Sequence, residues 1–397
     1  MKVVTLHGNV FRFIFLVVLS PYIFLQICEK NKAIDTKEYF LFRSKQREFS
    51  TGFKLNDQLE EIYGWINFKN IENYSFQFFT DFSACPICNF KNHNPNVTRD
   101  DSKDLVISFL IGRISGVVPF IQSLRSTGSK AQIVLFVDNS TFHVMNDTLG
   151  SFIPNCGVHL IDMGVYKPAK FYRSIYYIKY FTASAFLNSH SGFDRILLSD
   201  TSDVIFQGNP FLVSLPHKNT VIACEECDSN LGARAHWSEN RSEHNILKIL
   251  TQIKKDANIS KYPYERKYFN GGVFFAPEHL VRKHTNNVIN LINKLNADQF
   301  NQLDQINTRL EEQTFHNFAI NEYLINDQSI TVLSDGPHHE LFMLSGRNIT
   351  RGQRFPNFQY KGDYVLLYHL IYQDKDYCLS IGQVCPPVFN FSNYFRC

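Results

Sequence analysis

The chain has 397 residues, more than one minimal domain needs, and its 44% hydrophobic share is enough to fill a sizeable core. Charged residues make up 19%, below the roughly 25% of typical soluble domains. The 40 basic and 37 acidic residues leave a net charge of +3, with no Lys/Arg run, which argues against a nucleic-acid-binding surface.

Lys2, His7 and Arg12 precede an apolar run from Phe13 to Cys28, and Glu29, Lys30 and Lys32 come after it. A positive flank ahead of an apolar run places the N-terminus in the cytoplasm. At 16 residues the run is shorter than the ~20 of a spanning helix, and Pro21 interrupts it. Signal anchor and cleaved signal peptide are the two readings, and the lack of a clear small-x-small cleavage site favours the anchor. Either one sends the chain beyond about residue 30 into the secretory lumen or outside the cell.

Asn-x-Ser/Thr sequons at Asn73, Asn96, Asn139, Asn146, Asn240, Asn258, Asn348 and Asn390 support that compartment. Beyond Cys28, the eight cysteines Cys85, Cys88, Cys156, Cys224, Cys227, Cys378, Cys385 and Cys397 form the even set that a disulfide framework requires. The C-x-x-C pairs at 85 and 224 also fit a zinc site. An oxidising lumen favours disulfides, whose connectivity the sequence does not give.

Residues 29–100 read as a stem that becomes partly ordered, after a cytoplasmic tail at 1–12 and the anchor at 13–28. A catalytic domain is expected at 101–377 and a cysteine-containing tail at 378–397. LVISFLIG predicts a buried strand, VVPFIQSLRSTG an amphipathic helix closed by Gly128, and AQIVLFVD a second strand ending in Asp138. VHLIDMG predicts a third strand, Lys170 to Leu187 an aromatic-rich helix, and DRILLSD a fourth strand. Then come TVIACEE, a helical stretch at about 236–258, the turn-strand YFNGGVFFAP, and helices at His279–Asn296 and Gln313–Asn326. ITVLSD and YVLLYHLIYQ close the domain. Strands alternating with helices point to an α/β fold with a mixed, mostly parallel central sheet flanked by helices.

The strongest chemical signal is RILLSDTSDVIFQGNPF, residues 195–211. An apolar strand delivers Asp200 and Asp203 at its carboxyl end, where open α/β sheets receive ligands. Two carboxylates there are costly without a cation between them, and oxygen ligands on a short turn suit Mg²⁺ or Mn²⁺. On residue types alone, a capped turn explains the pair equally well.

The stretch resembles the metal-binding signature of GT-A-fold glycosyltransferases that use nucleoside diphosphate-sugars. More closely, it resembles a eukaryotic type II membrane group carrying D-x-x-D-V-x-F-Q-x-x-P-F, matched by Asp200, Asp203, Val204, Phe206, Gln207, Pro210 and Phe211. The extra residue between the aspartates departs from a plain D-x-D. The resemblance implies Asp203 as the direct metal ligand, Asp200 as direct or supporting, and His369 of LLYHLIYQ as the third. It also sets Ser108, Gly112 and Arg113 near the nucleoside, and Asn270, Gly271 and Gly272 beside the donor sugar. HNFAINEYL stands where that group carries D-Q-x-x-x-N, so His316 and Asn317 replace the Asp-Gln pair and Asn321 alone matches. The resemblance covers about residues 104–375.

Lys170 and Arg173 are either diphosphate partners or a solvated helix flank. Glu226, beside Glu225, is the candidate general base for an acceptor hydroxyl, with a turn between Cys224 and Cys227 as the alternative. The expected activity is metal-dependent transfer of a sugar from a nucleoside diphosphate-sugar to a glycan, glycoprotein or lipid acceptor. Its cofactor would be Mn²⁺ or Mg²⁺ and its setting the Golgi or ER membrane. The alternative is an inactive relative that binds glycan or sugar nucleotide.

Overall fold

In a computed structural model, residues 57–112, 114–167, 172–225, 241–306, 311–334, 342–344, 354–360, 363–369 and 375–388 are described. Among them no helix is long and apolar enough to cross a membrane, and the apolar run 13–28 lies outside them. The described part of the expected stem, from residue 57 onward, is built onto the domain. Helices α1 (Asp57–Tyr63) and α2 (Phe68–Glu72) bury Leu59, Tyr63, Phe68 and Ile71 in the main core. Each large apolar side chain so buried contributes about 1.5–3 kcal/mol. The two cysteines of CPIC then part company. Cys85 bonds Cys156 and Cys88 bonds Cys385, so this pair is a double anchor and not a zinc knuckle.

The apolar runs read from the sequence form the central sheet. Strand β1 (Leu105–Leu110) leads into α3 (Val117–Ser126), then β2 (Gln132–Val137), α4 (Asn139–Leu149) and β3 (Val158–Asp162). The expected helix from residue 170 begins as a 3-10 turn at Tyr172–Tyr177 and continues as α5 (Ile178–Ser189). Strand β4 (Arg195–Ser199) comes next, then the short β5 (Val204–Phe206), β6 (Thr220–Glu225) and α6 (Arg241–Ile253). Strand β7 (Phe269–Pro277), α7 (Glu278–Asn293), α8 (Ala297–Ile306), α9 (Glu311–Ala319) and β8 (Thr331–Leu333) complete the layer. A π-helical turn at Ile320–Ile325 ends the helix expected to run to Asn326.

The seven strands lie in the order β3-β2-β1-β4-β7-β6-β8. All pairs are parallel except those of β7, which runs against both β4 and β6. The architecture is therefore mixed α/β with a mostly parallel sheet between helical layers. Near-continuous burial of β1, β2 and β4 is what a sheet covered on both faces requires.

The closing segment does not join this sheet. Phe342–Leu344 forms β9, and a ribbon of β10 (Gln359–Tyr360) and β11 (Asp363–Tyr364) precedes β12 (Leu367–His369). Strand β12 pairs antiparallel with β5 and parallel with β9 in a separate small sheet. Its far face packs Ile205 and Tyr368 against Phe355, Phe358, Ile381 and the Cys88–Cys385 bridge. Helix α10 (Lys375–Val384) carries Ile381 and leads to Cys385.

Candidate metal centre

Strand β4 ends at Ser199, in register with Val273 of β7, so Asp200 emerges beside Gly272 and its N–H donates to the Gly272 carbonyl at 2.8 Å. The turn from Asp200 to Asp203 is held from below, where the Ser108 and Thr201 hydroxyls hydrogen-bond each other. From the side, Gly116 fits only as glycine: its φ is +82°, and a Cβ would lie 2.2 Å from the Ser202 carbonyl oxygen. Strand β5 then leaves from Asp203. Because His369 is paired with Val204 across β5 and β12, the imidazole is set next to Asp203.

Three side chains converge. The His369 Nε2 lies 3.7 Å from Asp200 Oδ2 and 3.6 Å from Asp203 Oδ2. One ligand atom from each of the three residues falls within 4.8 Å of the others. His369 is 2% exposed and Asp203 5%, while Asp200 faces outward. Gly272 closes the cradle. A Cβ there would stand 2.3 Å from His369 Cε1, 2.7 Å from its Nε2 and 2.9 Å from Asp200 Oδ2. A small divalent ion bonded at ~2.1 Å separates neighbouring ligand atoms by roughly 3–4 Å, and the two His–Asp spacings fall in that range. The two carboxylates suit Mn²⁺ or Mg²⁺, and the imidazole favours Mn²⁺ of the two. The residues present fit a divalent cation.

The other expected site residues divide. Asn270 is buried, and its Oδ1 accepts the Gly272 N–H at 2.8 Å, bracing the cradle. The Gly112 N–H donates to Asp138 Oδ1 at 3.0 Å and Thr141 Oγ1 at 2.9 Å, so it, like the Ser108 hydroxyl, is engaged within the protein. Asn317 ties α9 to β7, accepting from the Phe269 N–H and donating to the Phe269 carbonyl at 2.6 Å. Asn321 donates to the Lys267 carbonyl at 3.0 Å. Glu225 pairs with Lys267 at 3.1 Å. Arg113, Lys170 and Glu226 lie outside the described residues, as does the side chain of Arg173.

A second charged layer, absent from the sequence-based expectations, lies behind the cradle. The Lys179 ammonium donates to the Gly271 carbonyl at 2.6 Å and pairs with Glu312 at 2.9 Å. The Tyr180 hydroxyl donates to the same carboxylate and also meets His316 Nδ1 at 3.2 Å. His316 Nδ1 in turn lies 2.9 Å from His284 Nε2. Burial works against the Lys179 charge, but Glu312 and Asp200 outweigh it and hold the ammonium above the ordinary lysine value. Burial keeps the Tyr180 hydroxyl protonated, reinforced by Glu312. Burial likewise lowers His284 to about 3 and His316 well below its usual range, so both are neutral. A signal was there to read: Lys179 is the one charged residue between Ile178 and Ser189 in an otherwise uncharged and largely buried helix, and Glu312 stands one turn before His316.

No protein-family model matches the chain, and neither does any curated protein.

Proposed function

We propose that the protein is a metal-dependent glycosyltransferase of the GT-A type that uses a nucleoside diphosphate-sugar. The observation that carries this reading is the convergence of Asp200, Asp203 and His369 around the side-chain-free Gly272 at the carboxyl end of a mostly parallel sheet. Ligands of open α/β sheets enter at that end. The motif resemblance around residues 195–211 supports the same reading.

Asp203, Asp200 and His369 would hold Mn²⁺ or Mg²⁺. When bound, the ion supplies positive charge for a departing diphosphate. Asn270 braces Gly272, whose bare backbone leaves room for the ligand. The acceptor base is assigned to Glu226, and a lumenal placement behind the anchor at 13–28 belongs to the same proposal.

A thermal-shift panel of nucleoside diphosphates on the full-length chain, with and without Mn²⁺, tests it. A base-selective shift that needs the metal is expected, together with sugar transfer or slow donor hydrolysis. The absence of any metal-dependent shift would sink the reading.

One observation favours a second reading, a glycan- or sugar-nucleotide-binding protein without turnover. His316 and Asn317, which stand where the resembled group carries Asp-Gln, are both buried and engaged inside the fold. That version shows the metal-dependent shift with neither transfer nor hydrolysis.

A further inference from the structure

A buried ion pair is an expensive way to fasten a helix to a strand. Replacing such a pair with apolar side chains is often neutral or stabilising, while removing one partner is strongly unfavourable. The Lys179–Glu312 pair is nonetheless sited where it meets the candidate metal centre. Lys179 grips the carbonyl of Gly271, and the next residue is Gly272, whose missing side chain opens the cradle. Glu312 reaches the same strand: a Cβ on Gly271 would come within 3.0 Å of its Oε2. Asp200 acts electrostatically on both members of the pair.

That placement creates a conflict for the site. A lone ammonium on Gly271, within electrostatic reach of Asp200, offers the carboxylate a cation of its own and repels an incoming one. The repulsion is felt twice over by a divalent ion. Glu312, 2.9 Å from the ammonium and oriented by the Tyr180 hydroxyl, cancels that field while leaving the grip on Gly271 in place. With Glu312 ionised, the charges of Asp200, Asp203, Glu312 and Lys179 sum to minus two, one divalent ion's worth.

We propose that Glu312 is a positioning residue for the metal centre, acting through Lys179 as the counter-charge that lets Asp200 accept a divalent cation. The inference rests on the reading of Asp200, Asp203 and His369 as metal ligands. It concerns residues outside that trio, and its readout is metal binding and not transfer.

The test titrates Mn²⁺ into the full-length protein and tracks the free aquo-ion by electron paramagnetic resonance. Glu312→Gln keeps the side chain's shape and strands the Lys179 charge, so affinity falls roughly tenfold or more. Adding Lys179→Met to that variant removes the stranded charge and brings affinity back to within about threefold of wild type. Tyr180→Phe disturbs the same hydrogen bonds without changing any charge, and leaves Mn²⁺ affinity within about threefold.

Wild-type affinity in Glu312→Gln would overturn the proposal, as would a double variant no better than the single one. If Glu312→Gln fails to fold, the double variant decides, since a tenfold loss there would mean that the pair only shapes the strand. No Mn²⁺ binding by the wild type would overturn the metal reading itself, and this inference with it.

Discussion

Gly272 and His369 are in mutual exclusion: a single methyl on the glycine would occupy the space between the imidazole and the Asp200 carboxylate, 2.3 Å from His369 Cε1. The two residues are 97 positions apart by their numbers and belong to different sheets. They meet because β7 lines up with β4 while β12 lines up with β5, and β4 and β5 flank the aspartate turn.

Gly272→Ala tests that contact directly. Forcing a methyl into a filled space costs about 1–3 kcal/mol. Exacted on the ligand cluster, it weakens Mn²⁺ binding roughly ten- to a hundredfold. Strand β7 is buried throughout and paired with β4 from Val273 to Pro277, so the protein still folds. Manganese titration read by magnetic resonance, beside a thermal melt, checks both halves. Wild-type affinity would mean that the three side chains do not gather around this glycine.

Asp203→Asn removes charge from the most enclosed carboxylate of the cluster, which is 5% exposed. The amide has nearly the same shape, and the buried Ile205 beyond it still packs in the cluster with Phe355 and Phe358. Metal binding is expected to be lost while folding persists, and with it the sugar transfer that the proposed function requires. Transfer at a near wild-type rate by the purified variant would refute the ligand assignment.

These sites show what was legible in the sequence and what was not. Asp200 and Asp203 were readable because an apolar strand ending in acid is a local pattern. His369 was readable only through its place in the order of elements, since the β5–β12 pairing that brings it home is non-local. The Lys179–Glu312 pair was not, because its partners sit on helices α5 and α9, far apart in the chain. Helix α4 was hidden for another reason: apart from Thr141, only Met145 and Leu149 are buried in it, too few for an apolar stripe. Residues 57–72 look polar and irregular, yet they bury Leu59, Ile62, Ile66 and Ile71. Their periodicity is broken between two short helices, each too short to show one.

Acid sensitivity is expected from His159. Burial, aided by the charge of His190, lowers its pKa from 6.5 to about 4. The ring is packed by Phe76 at 4.3 Å and Phe79 at 4.7 Å between centroids. As pH falls, the unfolded chain takes up this proton before the folded one. The contribution to stability is therefore intact above about pH 6.5 and is lost progressively down to about pH 4. Each such proton steepens the decline by about 1.4 kcal/mol per pH unit. His284, lowered to about 3, adds in the same sense. His159→Phe keeps a ring in place and flattens the acid limb by about one proton, measured by urea unfolding across that range. An unchanged slope would mean that His159 is already exposed to water.

The Cys88–Cys385 bridge stands behind the candidate metal centre. It joins residues 297 apart and lies in the same cluster as Ile205 and Tyr368, the neighbours in sequence of Val204 and His369. Those two pairs alternate across the small sheet, so one face of β5 and β12 rests on the bridge while His369 points to the aspartates. Cys385→Ser releases the end of α10 and costs about 2–5 kcal/mol of stability. The loss is transmitted to His369 and not to Asp200, whose turn is braced separately by Ser108 and Gly116. Mn²⁺ affinity should therefore fall well below the melting transition, roughly tenfold at 25 °C for each 1.4 kcal/mol of loosening at His369. Cys85→Ser supplies the control. Its bridge to Cys156 lies among α3 and β2, away from the Ile205–Tyr368 face, so that variant loses stability with the smaller loss of affinity. Equal effects of the two variants on Mn²⁺ binding would show that general destabilisation, and not the support behind His369, is what the metal centre feels.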